Sequence, residues 1–224
     1  MKRIIAFLLV AALVFSFAAC SAKTTDNTNI SLNEQTDSTA TQQQISSTDQ
    51  KVLVIYFSSA NTADVDAVSS ATPNFDGVGS TGYLAEYIHS KVGGDIEKIT
   101  PVKDYPTGYN ETADMAKEER DRDDRPKFKD LSLNPEDYDV IFVGYPVWWY
   151  TLPMIMYSFF DSYDFSGKTI IPFNTHEGSG DGGTYDTIKE LEPAAKVLEG
   201  FEHRGSSVDD ANNDLDKWLS GLDV

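Results

Sequence analysis

Pro146, Val147, Trp148, Trp149 and Tyr150 lie within "GYPVWWYTLP" (144–153), which sets three consecutive aromatic rings between two apolar runs. Loops are usually polar, so rings placed there need a surface to lie against. A flat heterocycle offers one, since offset stacking is worth roughly 0.5–1.5 kcal/mol per ring pair beyond area burial. Adjacent side chains rarely face the same way, so one tryptophan of the pair is expected to pack on neighbouring helices instead. A second stretch, "SSANT" (58–62), brings the hydroxyls and amide of Ser58, Ser59, Asn61 and Thr62 directly after an apolar run. Such groups beside free backbone N–H can cradle a phosphate without lysine or arginine, and an ordinary Asx turn is the alternative reading. Ser69, Ser70 and Thr81 could complete that cradle from further along, with Asp64, Asp66 and Asp76 expected to point outward. The third stretch, "NTHEGSGDGGTYD" (174–186), contains Thr175, His176, Glu177, Gly178 and Gly180. Its glycines let backbone N–H groups approach a ligand edge closely. His176 has two readings, proton donor or hydrogen-bonding structural residue.

Elements must place these three stretches together. "VLVIYFS" (52–58), "YDVIFVGY" (138–145) and "KTIIPFNT" (168–175) are apolar runs of the kind buried on both faces of a parallel sheet. "DIEKI" (95–99) and "AKVLEGFEH" (195–203) are weaker strand signals. Helical patterns alternate with them at 82–93, 111–123, 152–163, 186–193 and 207–222. The alternation predicts an open parallel sheet with helices on both sides. Ligands in such sheets bind at the carboxyl ends of the strands, at the switch in strand order. All three stretches follow strong strands.

Two tempting motifs fail on context. "GVGSTG" (77–82) spells G-x-G-x-x-G, but a dinucleotide fingerprint opens directly from a strand, and the first strand ends nearly twenty residues earlier. "DDANND" (209–214) starts like a calcium loop, yet Leu215 stands where glycine is needed, so no metal site is expected.

The ends and the charge bound the partners. "MKRIIAFLLVAALVFSFAAC" has a basic start, an apolar run and small residues before Cys20, the lone cysteine of the chain. Residues 1–19 read as a secretory signal of the lipoprotein kind, with Cys20 as the lipidation site. Residues 20–50 are rich in Ser, Thr, Asn and Gln and read as a disordered tether, leaving 51–224 as one domain. The expected location is therefore the outer face of a bacterial cell membrane, held through the lipid anchor alone. With 18 basic against 36 acidic residues the net charge is −18. That argues against nucleic acid and against an anionic bilayer as binding surfaces, and is compatible with basic partners or with simple solubility.

Taken together, the hydroxyl loop after strand one, the aromatics after strand three and the glycines after strand four resemble a flavodoxin-like FMN site. "YDVIFVGYPVWWYTLPM", "YDFSGKTIIPFNTHEGSG" and "ITPVKDYPTGYNETADMAKEERDRDDRPKF" are similar to a branch of that family with "YFS" at the first loop and Trp-Trp at the second. The resemblance implies a flavodoxin-like three-layer α/β sandwich with a five-stranded parallel sheet, order 2-1-3-4-5, and one non-covalent FMN. It also implies that Ser58, Asn61 and Thr62 belong to a phosphate loop. Pro146 to Tyr150 would line the isoalloxazine ring, and Thr175, His176, Glu177 and Gly178 its pyrimidine edge. The expected function is a tethered extracytoplasmic electron carrier, serving a redox partner protein or a quinone. An FMN-dependent NAD(P)H:quinone or small-molecule reductase is the alternative, and an FMN-less surface binding module is a third reading.

Overall fold

The computed structural model describes residues 50–59, 78–106 and 108–222. Cys20, Asn61, Thr62, Ser69 and Ser70 lie outside the described residues. The elements run β1 (Val52–Phe57), α1 (Gly79–Val92), β2 (Asp95–Ile99), α2 (Tyr109–Asp121), β3 (Val140–Pro146) and α3 (Met154–Phe160). Then follow β4 (Thr169–His176), α4 (Thr184–Leu191), β5 (Lys196–Val197), β6 (Phe201–Arg204) and α5 (Asn212–Ser220). Every strand pairing is parallel, in the order β2-β1-β3-β4, with β5 and β6 both on the outer edge of β4.

Strand alternation sorts the apolar runs into two cores. Leu53, Ile55 and Phe57 of β1, with Ile141, Val143 and Tyr145 of β3, face a core that also takes Ala113 and Ala116 of α2, Phe159 of α3 and Ile188 of α4. Val54 and Tyr56, with Val140 and Phe142, face the opposite core under Leu84 and Ile88 of α1 and Leu215 of α5. Both cores fall within one compact unit, residues 46–224. The three layers follow from this, since a strand buried on both faces needs helices on both sides.

Two departures from the sequence expectations have local causes. The fifth strand is split, β5 pairing with Thr169 and Ile170 and β6 with Phe173 to His176. The Leu198 N–H donates to the Ile170 carbonyl, so that edge of β4 is next presented by Pro172. Proline has no N–H to continue the ladder, and the chain steps away from it between Leu198 and Gly200. The first helix begins at Gly79 rather than near Gly82. The glycine motif does open a helix, and Gly79 enters it at φ +74°, which a residue with a Cβ rarely adopts.

One carboxyl at the end of α4 carries a pH prediction. Burial, with Asp164 and Asp161 nearby, pushes Glu192 up to about 7 from 4.5. The stability contributed by its protonated form is complete below the unfolded value of 4.5 and is lost as pH rises through about 7. Glu192→Gln should raise stability near neutral to alkaline pH by about 1 kcal/mol, after discounting for solvent at this half-buried position. In acid, where both forms are neutral, it should change nothing. Thermal denaturation at the two extremes checks both halves.

Candidate functional site

The parallel pairing of β1, β3 and β4 sets their carboxyl ends side by side, and the three stretches leave from there. At the first, the Ser58 hydroxyl donates to the Val78 carbonyl (2.9 Å), drawing the start of α1 back to the end of β1. Ser59 follows, half-buried. The first turn of α1 has no side-chain cap and no acidic residue. Its positive dipole end is therefore met by no carboxylate of its own first turn. Thr81 and Thr175 share a buried hydroxyl–hydroxyl bond of 2.7 Å, which ties this helix end to the end of β4.

The aromatic stretch is a tight reversal. Trp148 and Thr151 exchange two backbone hydrogen bonds, each 3.0 Å, closing a two-residue turn on Trp149 and Tyr150. Both central residues are left-handed, φ 51° and 60°. A two-residue turn of that kind is type I′, normally the place of Asn-Gly because each bulky residue there costs about 1–2 kcal/mol. The fold carries this strain at the switch point of the sheet, where strain is associated with ligand sites.

The turn gives its three rings different places. Trp148 is the inward tryptophan, packed edge-on to Phe57 (5.5 Å) and Tyr105 (5.1 Å). Its indole nitrogen is buried with no hydrogen-bond partner. Trp149 is laid along α2, donating to the Ala113 carbonyl (2.9 Å) with the Arg120 guanidinium over its ring. Tyr150 is left 74% exposed at the tip. Pro146 closes β3, and Val147 extends the ladder by donating to the Thr175 carbonyl.

The glycine stretch is held rigid from beneath. Asn174, fully buried, donates to the Gly180 carbonyl (3.3 Å) and accepts from the Tyr185 hydroxyl (2.7 Å). The Tyr145 hydroxyl donates to Thr184 (2.9 Å), whose own hydroxyl donates to the Asp181 carbonyl. Burial holds the Tyr145 and Tyr185 phenols far above their usual value, so both stay neutral donors. Gly182 sits against the aromatic turn: a Cβ there would meet Val147 at 3.0 Å and the Tyr150 Cα at 3.4 Å, and its φ is +63°.

His176 and Glu177 turn their side chains toward the outer edge of the sheet. His176 accepts the Gly178 N–H at Nδ1 (2.8 Å) and uses Nε2 on Glu202 of β6. With both nitrogens engaged it positions the loop, which is the structural of its two readings. Glu177 accepts from the Ser206 N–H (2.6 Å) and hydroxyl (2.8 Å) beyond β6, so the loop backbone, rather than this carboxylate, is left to meet a ligand. The sequence reading missed Tyr145, Asn174, Thr184 and Tyr185. For Tyr145 and Asn174 the available signal was a polar group near the end of an otherwise apolar strand, where it has no solvent to face; Thr184 and Tyr185 open α4 and carried no such signal.

The flavodoxin family profile matches residues 70–222. A structure described as a flavoprotein from Bacteroides eggerthii is 28% identical, with a TM-score of 0.61 over 79% of this chain and 99% of the other. Another so described, from Bacteroides uniformis, is 26% identical, TM-score 0.60, covering 76% and 98%. A Lactobacillus acidophilus flavoprotein in complex with FMN shares the fold at 18% identity, TM-score 0.54, covering 76% and 99%. No curated protein matches the chain. The profile spans more than half of the sequence and the sheet runs in the order that the site requires, so the chain belongs to the flavodoxin family.

Proposed function

We propose that the protein is an FMN-binding electron carrier, tethered through Cys20 to the outer face of a bacterial cell membrane. The observation that carries the reading is the convergence of three features at the carboxyl ends of β1, β3 and β4. These are an uncapped helix start, a strained aromatic turn and a rigid glycine loop. Their donor set fits FMN. Ser59 and the first turn of α1 suit the phosphate, with the Ser58 backbone beside them because its hydroxyl is spent on Val78, and the sequence adds Asn61, Thr62 and Ser70. Tyr150, with Trp149 behind it, suits a ring face, and the backbone from Thr175 to Gly180 suits a polar ring edge. When bound, FMN supplies the redox chemistry of the protein.

The chain's own residues set the conditions for that chemistry. The Asn174 and Thr184 bonds hold loop backbone in place before any ligand arrives, which lowers the ordering cost of binding. The net charge of −18 opposes added electrons and favours a reduction potential below that of free FMN. The same field steers basic redox proteins towards the exposed turn. The tether reading rests on the basic, apolar and small-residue order of residues 1–19 ahead of Cys20.

Titration of residues 46–224 with FMN, followed by visible absorption and flavin fluorescence, tests the cofactor. Quenched fluorescence and saturable binding at micromolar concentration are expected, and their absence sinks the reading. Rapid reduction of the loaded protein by NAD(P)H would favour the reductase instead. Fractionation of cells carrying the full chain and its Cys20→Ser variant tests the tether, the variant being expected to leave the membrane fraction.

A further inference from the structure

Among the described residues, Trp148 Nε1 is the sole buried side-chain nitrogen or oxygen without a hydrogen-bond partner. The contrast with the other two tryptophans is direct. Trp149 donates to the Ala113 carbonyl and Trp218 to the Glu199 carbonyl, though both are more exposed than Trp148, which is 2% exposed. A buried N–H without an acceptor forfeits its hydration with nothing in return. Phenylalanine at this position would offer Phe57 and Tyr105 an apolar edge without that penalty. Such orphans in native folds call for a ligand, a water or a functional reason.

The position of the indole favours the ligand. Trp148 comes two residues after the end of β3 and packs on Phe57, the last residue of β1. Ser58 comes next in the chain, and its hydroxyl is already committed to Val78. The orphan donor therefore stands at the carboxyl ends of β1 and β3, two of the strands whose ends make the proposed site, in the core on the α2 and α3 face of the sheet. We propose that the Trp148 indole N–H is a hydrogen-bond donor reserved for FMN, accepted by an oxygen or nitrogen of the cofactor, so that loading the protein satisfies the one buried side-chain group left open among the described residues. This rests on the FMN reading. It gives the Trp-Trp pair a division of labour: Trp148 donates from within, while Trp149 anchors the exposed turn to α2.

The test replaces the N–H without disturbing the packing. In residues 46–224, Trp148→benzothienylalanine keeps the bicyclic shape and puts sulfur where the N–H was, and Trp148→Phe is the simpler companion. The isostere is expected to weaken FMN binding about tenfold while the ligand-free thermal midpoint stays level or rises. Heteronuclear NMR of the wild-type indole N–H groups gives a second readout. The Trp148 resonance should lie upfield in the free protein and move downfield on adding FMN, further than those of Trp149 and Trp218. Comparing FMN with riboflavin and lumiflavin locates the acceptor, because the isostere's penalty disappears for the flavin lacking it. If the isostere binds FMN as tightly as wild type, or the indole resonance is already downfield and unmoved, the inference is overturned while the cofactor reading stands. A wild-type domain that takes no FMN, seen before any substitution is made, overturns both.

Discussion

Tyr150→Gly is expected to weaken FMN binding by roughly thirtyfold and at the same time to raise the stability of the free domain by about 1 kcal/mol. The two changes come from different physics. Tyr150 holds φ 60° and is 74% exposed, so few native contacts are lost with its ring. Left-handed backbone costs a bulky residue about 1–2 kcal/mol, and glycine recovers most of that, less a fraction of a kcal/mol for its greater freedom when unfolded. The ring is nevertheless the most exposed large apolar group among the described residues, and its backbone lies against Gly182 of the glycine loop. Removing it forfeits both stacking and the area covered by a flat ligand, together about 2 kcal/mol. A residue retained for stability alone would move both measurements the same way. Calorimetry of the free domain and a fluorescence titration therefore decide the matter, and a fall in thermal midpoint would show that the turn is not strained by Tyr150. Trp149 is a poorer probe, because its bond to Ala113 and the Arg120 contact would be lost together.

Gly144→Val should destabilise the domain by about 3 kcal/mol, against the usual preference of strands for β-branched residues. Gly144 pairs with Phe173 across β3 and β4, both inside the fully buried sheet. A Cβ at Gly144 would lie 2.2 and 2.3 Å from atoms of the Phe173 ring. That ring is enclosed and cannot step aside without pushing its own core. Chemical denaturation of Gly144→Ala, Phe173→Leu and the double variant tests the cause. Each single change should cost stability, and the double variant should recover part of the sum, since residues in contact couple by about 0.5–3 kcal/mol. Simple additivity would mean that the glycine serves something other than room for Phe173. The displaced ring lies next to Asn174, so the alanine variant should also loosen the glycine loop.

These two positions show how legibility divides along the chain. Residues 52–57, 140–146 and 169–176 were readable as strands because both their faces are buried, leaving continuous apolar runs that helices of this length cannot mimic. The alternation with amphipathic stretches then leaves few arrangements, since parallel crossovers are right-handed and short. The layered sheet follows from local pattern and chain order, and the likeness to the flavodoxin family from the motifs at the three loops. The interruption at Pro172 was within reach too, because a missing N–H is a local property.

What only the tertiary structure decided is everything set by contacts distant in sequence. Strand parity would place Val147 with Tyr145 and send Trp148 to the other face. The turn ends that parity, and Trp148 joins the same core as both. No periodicity reaches past the last strand residue, so the sequence could say that one tryptophan packs inward but not which. The pairing of Thr81 with Thr175, and of Tyr145 with Thr184, joins groups 94 and 39 residues apart. His176 kept two readings in the sequence, and only the fold brings Glu202 of β6 to its Nε2. Local sequence determines which elements form, because propensity and burial pattern act over a few residues. It does not determine which buried donor meets which acceptor, because that is settled when separate elements close on one another and every polar group must find a partner or remain, like Trp148, without one.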